Sequence, residues 1–149
     1  MIYTNMIPSK LCCKVTYSGK PIKGLMLISL FGVKRKNAYS IVFGPTNSTG
    51  MTEITKQLIL DDAKEQLECA MMDYEPLEGS FTGEITVSIM HANEIKNALQ
   101  AYETYHEYYS YPANYDNNLK SCLKLLQNIN PNNLLLTTYL INESDISIN

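Results

Sequence analysis

Two turn signals constrain this 149-residue chain more than anything else in it: Gly19-Lys20-Pro21-Ile22-Lys23-Gly24 and Thr46-Asn47-Ser48-Thr49-Gly50. Glycine and proline set close together between apolar runs cut a chain into hairpins. The flanking runs are strand-like. Residues 11–17, Leu-Cys-Cys-Lys-Val-Thr-Tyr, mix β-branched and aromatic side chains and predict a first strand. Gly24 to Phe31 is nearly continuous apolar sequence, which predicts a central strand covered on both faces. Ala38 to Phe43, ended by Gly44-Pro45, predicts a third strand, and Met51 to Ile54 a short fourth.

In this order the motifs resemble the opening of the transthyretin-like, or carboxypeptidase-regulatory-like, β-sandwich family, over residues 11–55. The resemblance implies a fold, and one fold hosts many functions. One enzyme branch of that family hydrolyses 5-hydroxyisourate and ends in Tyr-Arg-Gly-Ser. This chain ends Asp145-Ile-Ser-Ile-Asn149 and contains one arginine, Arg35, which sets that branch aside. The family continues mostly as strands, whereas here the period changes.

Ile59, Ala63, Leu67, Ala70, Met71 and Tyr74 mark one face of a helix, with Thr55 as its N-cap and Glu75-Pro76 as its end. Asp61-Asp62 reads as part of the solvated face of this helix, not as a glycosidase acid pair. Gly79 and Gly83 bracket a loop, and Glu84 to Met90 then alternates, with Ile85, Val87 and Ile89 on one buried face. Asn93 predicts the cap of a second helix that carries Ile95, Ala98, Leu99 and Tyr102 and breaks at Pro112. Asp116 predicts the cap of a third, with Leu119, Cys122, Leu123, Leu126 and Ile129 on one side. Leu134 to Ile141 predicts a last strand, and residues 142–149 a polar tail. The expected fold class is α+β: an antiparallel, β-sandwich-like sheet core with an inserted helix and two C-terminal helices. One domain is expected over 1–149, sheet-rich with the inserted helix over 1–91 and helical with a final short strand over 92–149.

A formal charge of −3 argues against a nucleic-acid partner, which needs a concentrated basic face. Only Lys34-Arg35-Lys36 is basic, and it reads as a solvated hairpin tip. Asn5, Pro8 and Lys10 leave no apolar signal core near the start, and no run approaches the roughly 20 apolar residues of a membrane span. A cytoplasmic protein is the expectation. The four cysteines fit that compartment: Cys12 and Cys13 fall on opposite faces of a strand, Cys69 and Cys122 within helices, with no Cys-x-x-Cys.

Chemistry-bearing patterns are sparse. Glu103-Tyr-Thr-His106 has Glu-x-x-His spacing, but a second such motif and further carboxylates are lacking, and His91 precedes Glu94 instead of following a Glu, so no metal or other cofactor is expected. Gly-x-Ser-x-Gly and the phosphate-cradling glycine motifs are missing. A spatially assembled site from Cys12 or Cys13 with His91 is the remaining enzymatic alternative.

Tyrosine is the unusual feature. Tyr102, Tyr105, Tyr108, Tyr109, Tyr111 and Tyr115 crowd together with His106, Glu103 and Glu107. A helical stripe that turns Tyr102, Tyr105 and Tyr109 to the core leaves Tyr108 and Tyr111 off it. Tyrosine supplies contact area and a hydroxyl at low entropic cost, which suits interfaces and sugar sites. The leading expectation is a non-catalytic protein-binding module, an inhibitor or immunity protein that neutralises a cognate enzyme or toxin, with a basic or polar partner. Its contact residues would be Glu103, Tyr105, Glu107, Tyr108, Tyr109 and Tyr111. A carbohydrate-binding module using the same tyrosines is the alternative. A homodimer, through the tyrosines or a sheet edge, is compatible with either.

Overall fold

The computed structural model describes residues 2–4, 6–33, 39–69 and 81–142. The basic tip Lys34-Arg35-Lys36, the Glu75-Pro76 helix end, Gly79, the tail beyond residue 142 and the side chain of Cys69 lie outside the described residues. Strands β1 (Ile2–Tyr3), β2 (Lys10–Tyr17), β3 (Lys20–Pro21), β4 (Leu27–Val33), β5 (Tyr39–Phe43) and β6 (Met51–Thr55) precede helix α1 (Lys56–Cys69). Strand β7 (Phe81–Ile89), helices α2 (Ala92–Tyr105) and α3 (Tyr115–Leu126), a 3-10 turn at Pro131–Asn133 and strand β8 (Leu134–Ile141) follow. The architecture is α+β, with two antiparallel sheets. One has the order β1-β7-β4-β5; in the other β2 pairs with β6 and β3 on one side and with β8 on the other.

Register explains the core. Leu11, Cys13 and Val15 of β2 stand opposite Leu140, Thr138 and Leu136 of β8, and all three are fully buried. In the other sheet Leu27 and Phe31 of β4 face Ile89 and Ile85 of β7 and Phe43 and Tyr39 of β5. These inward rows, with Ile54, Ile59, Ile95 and Leu119, form one apolar cluster. The alternation expected of Ile85, Val87 and Ile89 therefore holds in register.

The two turn motifs pack against each other. Thr46, 1 % exposed, accepts from the Leu25 N–H at 3.0 Å and donates its hydroxyl to the Ile22 carbonyl at 2.7 Å. The Asn47 side-chain oxygen accepts from the Thr49 N–H (2.9 Å) and the Met51 N–H (3.0 Å), closing the second turn. Gly50 has φ +76°, and a Cβ there would stand 2.4 Å from the Val15 carbonyl oxygen, with Pro21 at 3.3 Å. Gly50→Ala is accordingly expected to cost about 2 kcal/mol or more, from left-handed backbone plus the clash. A lowered urea midpoint at unchanged slope is the readout; an unchanged midpoint would refute the close approach.

Several boundaries differ from the sequence expectation. Strand β4 begins at Leu27, and only one of its faces is fully covered: Leu27, Ser29 and Phe31 are 0 % exposed, Leu30 41 %. The apolar run is continuous, but successive side chains leave the pleat on opposite sides, and only the side that carries Leu27, Ser29 and Phe31 is closed over. Gly83 lies inside β7, at φ +92° beside Thr4, because β1 pairs there and extends the strand. Helix α2 is capped by His91, not Asn93. Its Nδ1 accepts from the Glu94 N–H at 3.4 Å while its own N–H donates to Glu94 Oε1 at 3.2 Å, a reciprocal capping box. Helix α3 starts at Tyr115 behind Asn114, whose φ of 61° supplies the reversal, so Asp116 sits in the first turn and Ile129 beyond the last. Most consequentially, α2 ends at Tyr105 instead of running to Pro112.

Candidate functional site

Helix α1 begins where Thr55 Oγ1 accepts the Leu58 N–H at 3.2 Å, the cap expected from the sequence. Burying Ile59 and Ala63 in the core rotates Asp62 and Gln66, one helical turn apart, to the margin of the apolar stripe. Asp62 is not the solvated acid that its helix alone implies. Its Oδ2 accepts from the Tyr39 hydroxyl of β5 and from Gln66 Nε2 at 2.8 Å, and its Oδ1 accepts from the Tyr109 hydroxyl. Gln66 Nε2 also donates to the Ser40 carbonyl at 3.0 Å, and Glu65 Oε1 accepts the Ser110 N–H. Asp61, by contrast, is exposed and accepts from Gln57 Nε2 of its own helix at 2.8 Å.

Two elements thus converge on one carboxylate. The phenols of Tyr39 and Tyr109 are held far above their ordinary range, first by burial and then by the hydrogen bond and charge of Asp62. They remain neutral donors across all physiological pH. Tyr115 is raised to about 12 by burial, with Tyr111 and Asp62 adding to it. Around these groups the rings pack closely: Tyr109–Tyr111 centroids lie 4.7 Å apart, Tyr111–Tyr115 4.8 Å and Tyr102–Tyr111 5.1 Å.

The clasp on Tyr109 and Ser110 explains the early end of α2. His106, Tyr108 and Tyr109 still bond back to the last helical carbonyls, Tyr102 and Tyr105, and the chain then turns onto α1. Off the helix, the tyrosines sort differently from a helical stripe. Tyr105 and Tyr108 project outward, 54 % and 75 % exposed, while Tyr109 and Tyr111 are half-buried. Tyr105 therefore leaves the core face, and Tyr111 joins the aromatic cluster. Glu103 and Glu107 are exposed.

Two concavities adjoin this turn. One, of about 550 Å³, is lined by Glu107, Tyr108, Tyr109 and Tyr111 together with Asn114 and Asp116; Glu103 and Tyr105 stand outside it. The other, of about 410 Å³, opens between α1, β5 and α2 and is lined by Asp62, Gln66, Glu94, Asn97 and a set of apolar side chains. Tyr109, Pro112 and Tyr115 belong to both. Sequence reasoning missed Asp62, Gln66 and Tyr39. The signal was present in the spacing: Asp62 stands three residues after Ile59 and directly before Ala63, at the edge of the buried stripe.

The thiols and histidines are occupied elsewhere. Burial pushes the Cys13 thiol up to about 11, and burial followed by the charge of Glu53 raises Cys12, whose Sγ donates to Glu53 Oε2 at 3.6 Å. Both stay protonated at neutral pH, the opposite of an activated nucleophile. His91 is engaged at the start of α2 with Glu94, and His106 stacks on Tyr102 at 5.1 Å. Among the described residues no three of His, Cys, Asp or Glu gather as a metal set would, and no helix is long and apolar enough to cross a membrane. Comparison with known proteins finds no matching family model, no matching curated protein and no matching solved structure; none of it bears on the resemblance of residues 11–55 to the transthyretin-like family.

Proposed function

We propose that this chain is a non-catalytic protein-binding module, in the role of an inhibitor or immunity protein that covers the site of a basic enzyme or toxin. The observation that supports it is the clasped turn. Asp62 and Glu65 hold Tyr109 and Ser110, so Tyr105 and Tyr108 project from a backbone that is already ordered. An exposed aromatic on a fixed turn loses little entropy on binding, which is what anchors an interface. Glu103 and Glu107 flank these rings with negative charge, which steers a basic partner and disfavours nucleic acid.

Capture from the native lysate, followed by affinity measurement on the captured protein, tests the reading. Combined Tyr108→Ala and Glu107→Ala is expected to weaken binding by about 100-fold, a hot-spot loss, with only a small change in melting temperature because both side chains are largely exposed. Affinity retained within about twofold would sink the assignment. Saturable binding to one glycan, with no protein partner, would replace it by the carbohydrate-binding reading.

A further inference from the structure

We infer that the cleft between α1, β5 and α2 is a socket for one long cationic side chain, arginine or lysine, projected by the protein partner; the inference rests on the binding reading above. Charge complementarity carries it. The cleft holds the carboxylates of Asp62 and Glu94, and among the described residues that line it there is no lysine, arginine or histidine; His91, at the start of α2, meets Glu94 Oε1 with its N–H at 3.2 Å and its Nε2 at 3.3 Å, which leaves Asp62 as the principal acid of the cleft. Its walls are otherwise largely apolar, with Ile28, Val42, Ala98 and Ala101 among them. That combination fits a side chain whose aliphatic stem packs on apolar surface while its head seeks an acid.

The acid is preorganised. A carboxylate offers about four acceptor positions. Three on Asp62 are taken, by Tyr39, Tyr109 and Gln66. These three donors fix the carboxylate in direction and leave acceptor capacity for a donor from outside. Location adds to the case. The cleft shares Tyr109, Pro112 and Tyr115 with the concavity beneath Tyr108, so a partner seated on the exposed tyrosines has the socket within the same footprint. Interface energy concentrates where a side chain fills a pocket beside such anchors.

Amide NMR of the full chain, titrated with acetyl-Gly-Arg-Gly-amide, tests this directly. The norleucine peptide of the same length is the apolar control and agmatine the free amine. The arginine peptide is expected to shift the Ala98 and Ala101 signals saturably, with a Kd of about 1 mM, and the norleucine peptide to leave them in place. Glu94→Gln removes the charge, and with it the ion pair to His91 Nε2, yet keeps an oxygen for the capping box, and Ala101→Leu fills the cleft from a partly exposed helix position. Each variant is expected to weaken the peptide by about tenfold, as loss of a charge-assisted contact does. Equal shifts from both peptides, or none from the arginine peptide at about 20 mM, would overturn the socket. Saturation by agmatine with exclusion of the peptide would also overturn it, assigning the cleft to a free amine. With the captured partner, loss of binding in the Tyr108/Glu107 double variant but not in Ala101→Leu defeats the socket alone. Retention in both defeats the binding reading too.

Discussion

Replacing Asp62 by alanine is expected to destabilise the fold by about 3 kcal/mol and to free the turn that carries the tyrosines, because it orphans half-buried donors. Three donors converge on this carboxylate: the Tyr39 and Tyr109 hydroxyls and the Gln66 amide. Truncation leaves both phenols directed at an apolar methyl, with only partial access to water. The loss has a second consequence. Tyr109 belongs to the turn and Tyr39 to β5, so the same carboxylate joins the end of α2 to the sheet edge. Without it, α1 still reaches the turn through Glu65, which accepts the Ser110 N–H, and through Gln66 beside the Tyr109 hydroxyl. Urea denaturation gives the magnitude, and amide signals of residues 106–111 report the turn. Asp62→Asn should fall between wild type and Asp62→Ala, since the amide keeps one oxygen acceptor and turns its NH2 towards a phenol. A loss well under about 1 kcal/mol for alanine would mean that water already satisfies the phenols.

Alkaline unfolding is the second large effect. Tyr39 and Tyr109 have folded-state values far above an ordinary phenol, and Tyr115 is raised to about 12. In the unfolded chain all three ionise near pH 10. Between that pH and the folded-state values the unfolded chain has released protons that the folded chain keeps, so stability falls as pH rises. The contribution is complete below about pH 10 and is lost above it at about 1.4 kcal/mol per pH unit for each phenol. With all three acting, the slope reaches about 4 kcal/mol per unit until Tyr115 itself ionises near 12. A domain in the lower part of the ordinary stability range, about 5–10 kcal/mol, is then expected to unfold cooperatively roughly one to three units above pH 10. Phenolate absorbance and far-ultraviolet circular dichroism should rise and fall together across that step. Tyr109→Phe is expected to remove about a third of the slope. Smooth ionisation of every tyrosine near pH 10 with the fold intact would contradict the buried network.

Most elements were legible in the chain. The inward face of α1 announces itself in Ile59 and Ala63, that of β7 in Ile85, Val87 and Ile89, that of α3 in Leu119 and Cys122. Each is a local periodicity, and burying it is the same problem in any fold that forms the element. The turns at Gly19 and Gly50 were legible for a similar reason, since backbone with positive φ selects for glycine. The end of α2 was not. Nothing before Pro112 forbids a helix locally, and the chain leaves it at Tyr105 because Tyr109 and Ser110 are held by residues of α1, 47 and 45 positions earlier. Asp62 was misread on the same ground: helical spacing describes only its own helix, and its partners come from β5 and the turn.

What the chain alone determined is therefore the longer strands and the helices, most of the faces they bury and the unusual supply of tyrosine and acid between residues 102 and 116. Which tyrosines face outward, and which carboxylate they serve, was decided only by the tertiary fold. Hydrophobic period is a property of neighbours along the chain, whereas a hydrogen bond to a half-buried carboxylate depends on which distant elements the core brings alongside it.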